Sequence, residues 1–250
     1  MKKRILWLLC AIMIGGTAFP QASTNLETGI KLYADGKWKE AISVLRQVLT
    51  INAALDQRVE AVYWTALAEI ADSDYMGAIN DLNALDQMEW NSPRKLEIPY
   101  HKGRCFYYLE RFDEALVLLK NYADSIPDNT EEGIRQKSAA LYWTGECLYS
   151  LGHLDRAHDI FLTITQKYPQ SAKYEAAFYR MAIINQKKIE IELLGILKRT
   201  HEESLKIIEE YQYRERTYDQ ALTAYQRRIA TLEASLRKLN PDKPIDAETE

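Results

Sequence analysis

An all-α stack of helical hairpins is the fold class this sequence predicts, on three observations. A turn-plus-helix pattern occurs four times, as DGKWKEAI, DSDYMGAI, LERFDEAL and LGHLDRAH, with its alanines Ala41, Ala78, Ala115 and Ala157 spaced 37, 37 and 42 residues apart. A column of small residues, Gly29, Ala66, Gly103 and Gly145, falls twelve positions before those alanines, where close approach of two helices requires it. Near the C-terminus no glycine or proline interrupts Ile196 to Asn240, so a long helix or coiled coil is expected there. Sheet-forming patterns are scarce.

The elements follow in order. Residues 1–22 read as a signal peptide: Lys2, Lys3 and Arg4 precede an apolar stretch from Ile5 to about Ile14, followed by small residues. Gly16-Thr17-Ala18 is the better cleavage site and Pro20-Gln21-Ala22 the poorer. A spanning helix needs about 20 apolar residues and this run meets Gly15 and Gly16 too soon. An uncleaved inner-membrane anchor is the alternative. Cys10 is not expected to carry lipid, because Leu9 stands where that processing signal demands a small residue.

Residues 23–186 form the array. Three positions before each aligned alanine stands a large apolar residue, Trp38, Tyr75, Phe112 or Leu154, and four after it Leu45, Leu82, Leu119 or Phe161. In Ala140 to Pro169 the whole unit is visible: Gly145 and Ala157 let two backbones approach, while Leu141, Leu148, Leu154 and Phe161 fill the surrounding groove. Gly152 turns the chain and Pro169 stops it. First helices agree independently, AVYWTA at 61–66 and ALYWTG at 140–145. One such hairpin cannot bury its apolar face alone, so the unit makes sense only in an array.

These columns resemble the tetratricopeptide repeat family, whose pattern has a glycine or alanine in the first helix, G-x-Y-x-E-A entering the second, and a terminal proline. Pro127 and Pro169 match the last position; Ala53 and Trp90 depart from it. The resemblance covers about Asn25 to Pro169 and implies a right-handed superhelix of antiparallel hairpins, with about four full repeats plus a fifth first helix, SAKYEAAFYRMAII, that has Ala182 in the small position. Its context, KYPQSAKYEAAFYRMA, is similar to the YP-x-S-x-Y turns of Gram-negative envelope proteins such as the periplasmic Tol-Pal coordinator and the outer-membrane-assembly lipoprotein with the same repeats. It departs from them in lacking the lipid attachment and in placing its coiled-coil pattern after the repeats.

From Lys187 to Asn240 the repeat signature fails, and one long helix or two joined near Thr200 is expected, since Thr200 and Glu203 fit a capping box. Leu222, Tyr225, Ile229, Leu232, Leu236 and Leu239 alternate spacings of three and four, a seam for oligomerisation. Extended backward it meets Tyr218, Tyr211 and Ile208, interrupted by Glu215 and Ser204. The same stretch also reads as an amphipathic cap, TYDQALTAY resembling one more second helix. Residues 241–250, charged and proline-containing, are expected to be disordered.

Charge and chemistry narrow the function. The formal charge of −4 becomes −7 once the three basic leader residues are removed, which argues against nucleic acid and against anionic lipid. Cys105 and Cys147 occupy the same packing position in consecutive repeats, too far apart for a disulfide, and are expected to be unpaired. His101, His153, His158 and His201 show no metal spacing, and no phosphate loop or nucleophile motif accompanies them. No enzyme, cofactor or metal is expected.

In the resembled family the first helices line a concave groove. Here they carry Tyr63 and Trp64, Tyr100 and His101, Tyr107, Tyr142 and Trp143, Tyr149, and Tyr179 and Arg180. Tyr63, Tyr100, Tyr142 and Tyr179 share one column, expected to align as a ladder. Tyrosine offers an apolar body with a hydrogen-bonding tip and suits a peptide or partner helix, yet it also packs between repeats. Arg104 and Arg180 are the obvious cations, so the carboxylate clamp of some family members is disfavoured. The expected function is a non-enzymatic periplasmic scaffold holding an envelope protein in an aromatic groove, for cell-envelope assembly or maintenance. Rival readings are an accessory protein of a solute-uptake system, cupping a small ligand or a substrate-binding protein, and a coiled-coil spacer.

Overall fold

A computed structural model describes residues 18–88 and 90–239; the leader before residue 18 and the tail from residue 240 lie outside the described residues. The chain divides into two compact units, residues 1–185 and 186–250.

Unit 1 holds α1 (Ala18–Ala34), α2 (Trp38–Thr50), α3 (Leu55–Ala71), α4 (Tyr75–Gln87), α5 (Ile98–Tyr108), α6 (Phe112–Ser125), α7 (Glu131–Ser150) and α8 (Leu154–Lys167). It closes with the first turns of α9 (Tyr174–Leu239). A short 3₁₀ turn, Pro93–Glu97, leads into α5. From α1 to α8 each helix packs on its neighbours in sequence, and α1 also meets α3, and α5 meets α7. This is the all-α stack of antiparallel hairpins that the repeat columns predict.

The small-residue column sets the spacing. A Cβ added at Gly29 would lie 2.5 Å from the Leu45 side chain, one at Gly103 2.6 Å from Leu119, and one at Gly145 2.7 Å from the Phe161 ring. Each first helix therefore presents a notch into which the second helix sets an apolar knob. Ala66 takes this place in the second hairpin, in one cluster with Leu82, Val59 and Leu85. The aligned alanines Ala41, Ala78, Ala115 and Ala157 are fully buried.

The turns share a further rule. Gly36, Ser73, Glu110 and Gly152, five residues before those alanines, all have positive φ, at 75°, 68°, 60° and 79°. Serine and glutamate bear this left-handed geometry at a cost of roughly 1 kcal/mol, so glycine alone does not reveal the turn.

An ion cluster ties three helices together. Arg46 on α2 donates to Glu69 Oε1 on α3 at 2.6 Å and to Asp81 Oδ2 on α4 at 3.1 Å. Glu69 is buried and its Oε2 has no hydrogen-bond partner. Burial pushes its pKa up to about 7, with Asp81 adding and Arg46 opposing. Cys105 and Cys147 are free, buried thiols, and burial pushes both up to about 12.

Unit 2 is the remainder of α9, which runs unbroken through Thr200. The Thr200 hydroxyl donates to the Ile196 carbonyl at 3.1 Å, as a helix-interior threonine does, so one helix replaces the alternative of two. Leu222, Tyr225, Ile229, Leu232, Leu236 and Leu239 are all exposed. Among the described residues no helix is long and apolar enough to cross a membrane.

Two outcomes follow. Gly145→Ala should lower stability by about 1–2 kcal/mol, since overpacking against the rigid Phe161 ring outweighs the gain in helix propensity; adding Phe161→Leu should recover most of the loss in a urea titration. For Glu69, a folded pKa above the ordinary value means its stabilising contribution is full below about pH 4.5 and is lost as pH rises through about 7. The stability of the wild type relative to Glu69→Gln should therefore fall by up to about 3 kcal/mol between pH 5 and pH 8.

Candidate partner-binding face

The first helices bring aromatic rings of successive hairpins into one chain of contacts. Tyr33 on α1 meets Trp64 on α3, with ring centroids 5.4 Å apart; Trp64 meets Tyr63 at 6.0 Å; Tyr63 meets His101 on α5 at 5.9 Å; and His101 meets Tyr100 at 5.3 Å. The Arg104 guanidinium then lies 5.7 Å from the Tyr100 ring and 5.4 Å from Trp143 on α7. Trp143 meets Tyr142 at 5.8 Å, and Tyr142 meets Phe161 on α8 at 5.7 Å. The links run between different columns, so the expected tyrosine ladder is replaced by a zigzag. Among the described residues no ring contact joins Tyr63, Tyr100, Tyr142 and Tyr179 to one another.

The four column tyrosines differ in their surroundings. Tyr63, a groove candidate that could equally pack between repeats, is 4% exposed and packs with Val59, Leu82, Leu85 and Ile98. Its hydroxyl donates to Glu97 Oε2 at 2.7 Å and lies 3.4 Å from His101 Nε2. Tyr100 is half-buried against Tyr122 and the α7 helix. Tyr142 is half-buried on Phe161, whereas Tyr179 is 67% exposed. The second hairpin thus spends its tyrosine on the core, and the fifth first helix leaves its own in solvent.

Trp143 is the hub. Three tyrosines surround its half-buried ring, Tyr107 at 5.0 Å, Tyr108 at 5.5 Å and Tyr142 at 5.8 Å. Two cations reach it, Arg104 at 5.4 Å and the Lys173 ammonium at 6.0 Å, the latter also lying 4.8 Å from the Tyr142 ring. Among the described residues neither cation has a carboxylate within ion-pair distance. Arg104 Nε is buried without a hydrogen-bond partner. Burial and then the Arg104 charge hold Lys173 below the usual lysine range, with Glu146 opposing. Two like charges beside π faces form a site complementary to an anion.

Elsewhere the cations are neutralised. Arg180 donates twice to the buried Glu146, at 2.6 and 2.5 Å, while lying 5.3 Å from the Tyr149 ring, and Tyr107 reaches the same carboxylate at 3.4 Å. Arg94 covers Tyr63 and Trp64 and is ion-paired to Glu60, which also accepts from the Trp64 indole at 3.2 Å. Arg104 and Arg180 are therefore joined by two further cations, Arg94 and Lys173. Both come from the segments between hairpins, where helical periodicity gives no signal. Of the sequence-derived candidates, Arg104, Tyr107, Tyr142 and Trp143 come together at the hub with Tyr100 against Arg104; Trp64 and Tyr63 lie further along the same chain of contacts, and Tyr149 sits with Arg180.

Residues 139–171 match the tetratricopeptide repeat, and they include the hairpin that carries Tyr142 and Trp143. Among solved structures, the chain is similar to the nearly identical tetratricopeptide-like repeats of a putative kinesin light chain from Podosopora anserina, at 15% identity and a TM-score of 0.54, over 67% of this chain and 86% of that one. It is also similar to MamA from Desulfovibrio magneticus RS-1, at 15% identity and a TM-score of 0.50, over 70% of this chain and 97% of that one. At these identities the likeness is one of fold. No curated protein matches the chain significantly.

The uncompensated pair carries an energetic signature. Lys173→Met keeps the apolar stem and removes one of two facing like charges, so it should raise the stability of the free chain by about 0.5–1 kcal/mol. A thermal melt without added ligand checks this; a fall in melting temperature would show that the ammonium is already compensated.

Proposed function

We propose that unit 1 is a protein-binding scaffold that takes an extended or helical partner segment on its first-helix face, seating one acidic side chain of that partner between Arg104 and Lys173 over the Trp143 ring. The observation that carries this reading is the aromatic hub with two cations, neither of which is in an ion pair among the described residues. Trp and Tyr supply large contact area at low entropic cost, and a half-buried cation pair supplies charge selectivity. The tetratricopeptide match and the stacked hairpins agree with a non-enzymatic role.

The basic and apolar leader supports export, and the setting we propose is the periplasm, in cell-envelope assembly or maintenance. Cleavage after Ala18 fits the packing better than cleavage after Ala22. Ala22 is fully buried with Val48 and Ala61, and the adjacent Ser23 hydroxyl accepts from Gln57 Nε2 at 2.8 Å.

A photo-crosslinking residue at Tyr142, with Asp155 on α8 as control position, tests the scaffold reading in cells. The expected result is a discrete adduct at Tyr142 whose captured segment contains Asp or Glu, and whose yield falls at least tenfold on Arg104→Glu with Lys173→Glu. Adducts indifferent to that charge reversal, or identical at both positions, would overturn it.

A further inference from the structure

The surface left unexplained lies in unit 2, and its reading is independent of the Trp143 hub. Between Ile208 and Leu239 the stripe positions are Ile208, Tyr211, Glu215, Tyr218, Leu222, Tyr225, Ile229, Leu232, Leu236 and Leu239, all exposed. An apolar stripe of this length on an isolated helix calls for a partner surface of the same period.

We propose that the occupant is the same stretch of a second copy of this chain, forming a two-stranded coiled coil that is parallel and in register. The flanking charges select this arrangement. With Ile208 as the first core position of the heptad, Arg214 and Arg228 occupy the g positions, and Asp219 and Glu233 occupy the e positions of the heptads that follow. In a parallel pair each g residue faces the e residue five positions on in the other strand. Arg214 then meets Asp219 of the second copy, Arg228 meets Glu233, and symmetry forms each pair twice. Ala221 and Gln226 oppose each other without charge. In an antiparallel pair g faces g and e faces e, which sets arginine against arginine or neutral residues and acid against acid or glutamine.

Register has its own determinant. Glu215 alone among the stripe positions is charged; in the parallel arrangement it faces Glu215 of the second copy, and Arg214 of each chain lies beside the pair to offset the two carboxylates. A slip of one heptad would lose the opposite charges, setting Arg214 against Gln212 or Gln226 of the second copy. On its own helix Arg214 makes an exposed 3.9 Å contact with Glu210, which a pair with Asp219 of the second copy would replace or share.

Sedimentation equilibrium on the full chain tests this with two charge-swapped variants, Arg214→Glu with Arg228→Glu, and Asp219→Arg with Glu233→Arg. The wild type is expected to be a dimer at micromolar concentration. Each variant alone should self-associate roughly a hundredfold more weakly, as four attractive pairs become repulsive. An equimolar mixture should recover the dimer, because each chain then offers the complement of the other; recovery also shows that the variants are folded. A monomeric or trimeric wild type would overturn the proposal. So would undiminished self-association of Arg214→Glu with Arg228→Glu, since an antiparallel pair merely exchanges one like-charge contact for another. Loss of partner capture at Tyr142 with dimerisation intact would fall on the scaffold reading alone.

Discussion

Everything in unit 1 depends on how close two helices of a hairpin can come. Where Gly29, Gly103 and Gly145 leave no Cβ, Leu45, Leu119 and Phe161 occupy the vacated volume. A side chain larger than that of Ala66 at the notch would force the two helices apart, and the next hairpin would lose the surface on which it stacks. Local packing thereby becomes a long-range constraint: four contacts of the same kind fix the relative placement of rings that lie far apart in sequence. The aromatic chain from Tyr33 to Phe161 exists because those notches repeat.

That spacing divides the aromatic residues between structural and chemical roles. Tyr63 and Tyr142 occupy equivalent positions, yet one is sealed by Glu97 and His101 while the other lies half-buried under a lysine. The difference arises outside the helices. Arg94 enters from the 3₁₀ turn before α5 and finds Glu60, whereas Lys173 enters from the turn before α9 and finds Arg104 already present. One connection closes its ion pair and the other leaves two positive charges facing rings. The charge beside the rings is therefore set by connections, on a platform set by helices.

The fold was legible because its determinants recur at fixed spacing: the alanines, the small column and the apolar knobs are each visible without coordinates. The turns were half legible, since Gly36 and Gly152 announce left-handed geometry while Ser73 and Glu110 adopt it silently. The site was less so. Its column positions could be read from the repeat, but whether a given tyrosine is core or surface depends on neighbours two helices away, as Tyr63 and Tyr179 show. Lys173 and Arg94 belong to no period, and nothing local to them predicts which ring they will cover. The buried Glu69 and Glu146 were likewise hidden, because a glutamate on a helix reads as a solvated face until its arginine partner is placed.

The two thiols carry a kinetic consequence. Oxidants and disulfides react with thiolate, and burial holds Cys105 and Cys147 protonated until about pH 12. Once folded, the chain presents almost no nucleophilic sulfur at these two positions, in oxidising and reducing surroundings alike. In the unfolded chain the same sulfurs are ordinary and reactive, and what covers them is the preceding hairpin: Cys105 packs with Ile70, Ala78 and Ile79, and Cys147 with Ala115 and Leu119. Silencing each thiol therefore depends on the docking of two hairpins rather than on the closure of one.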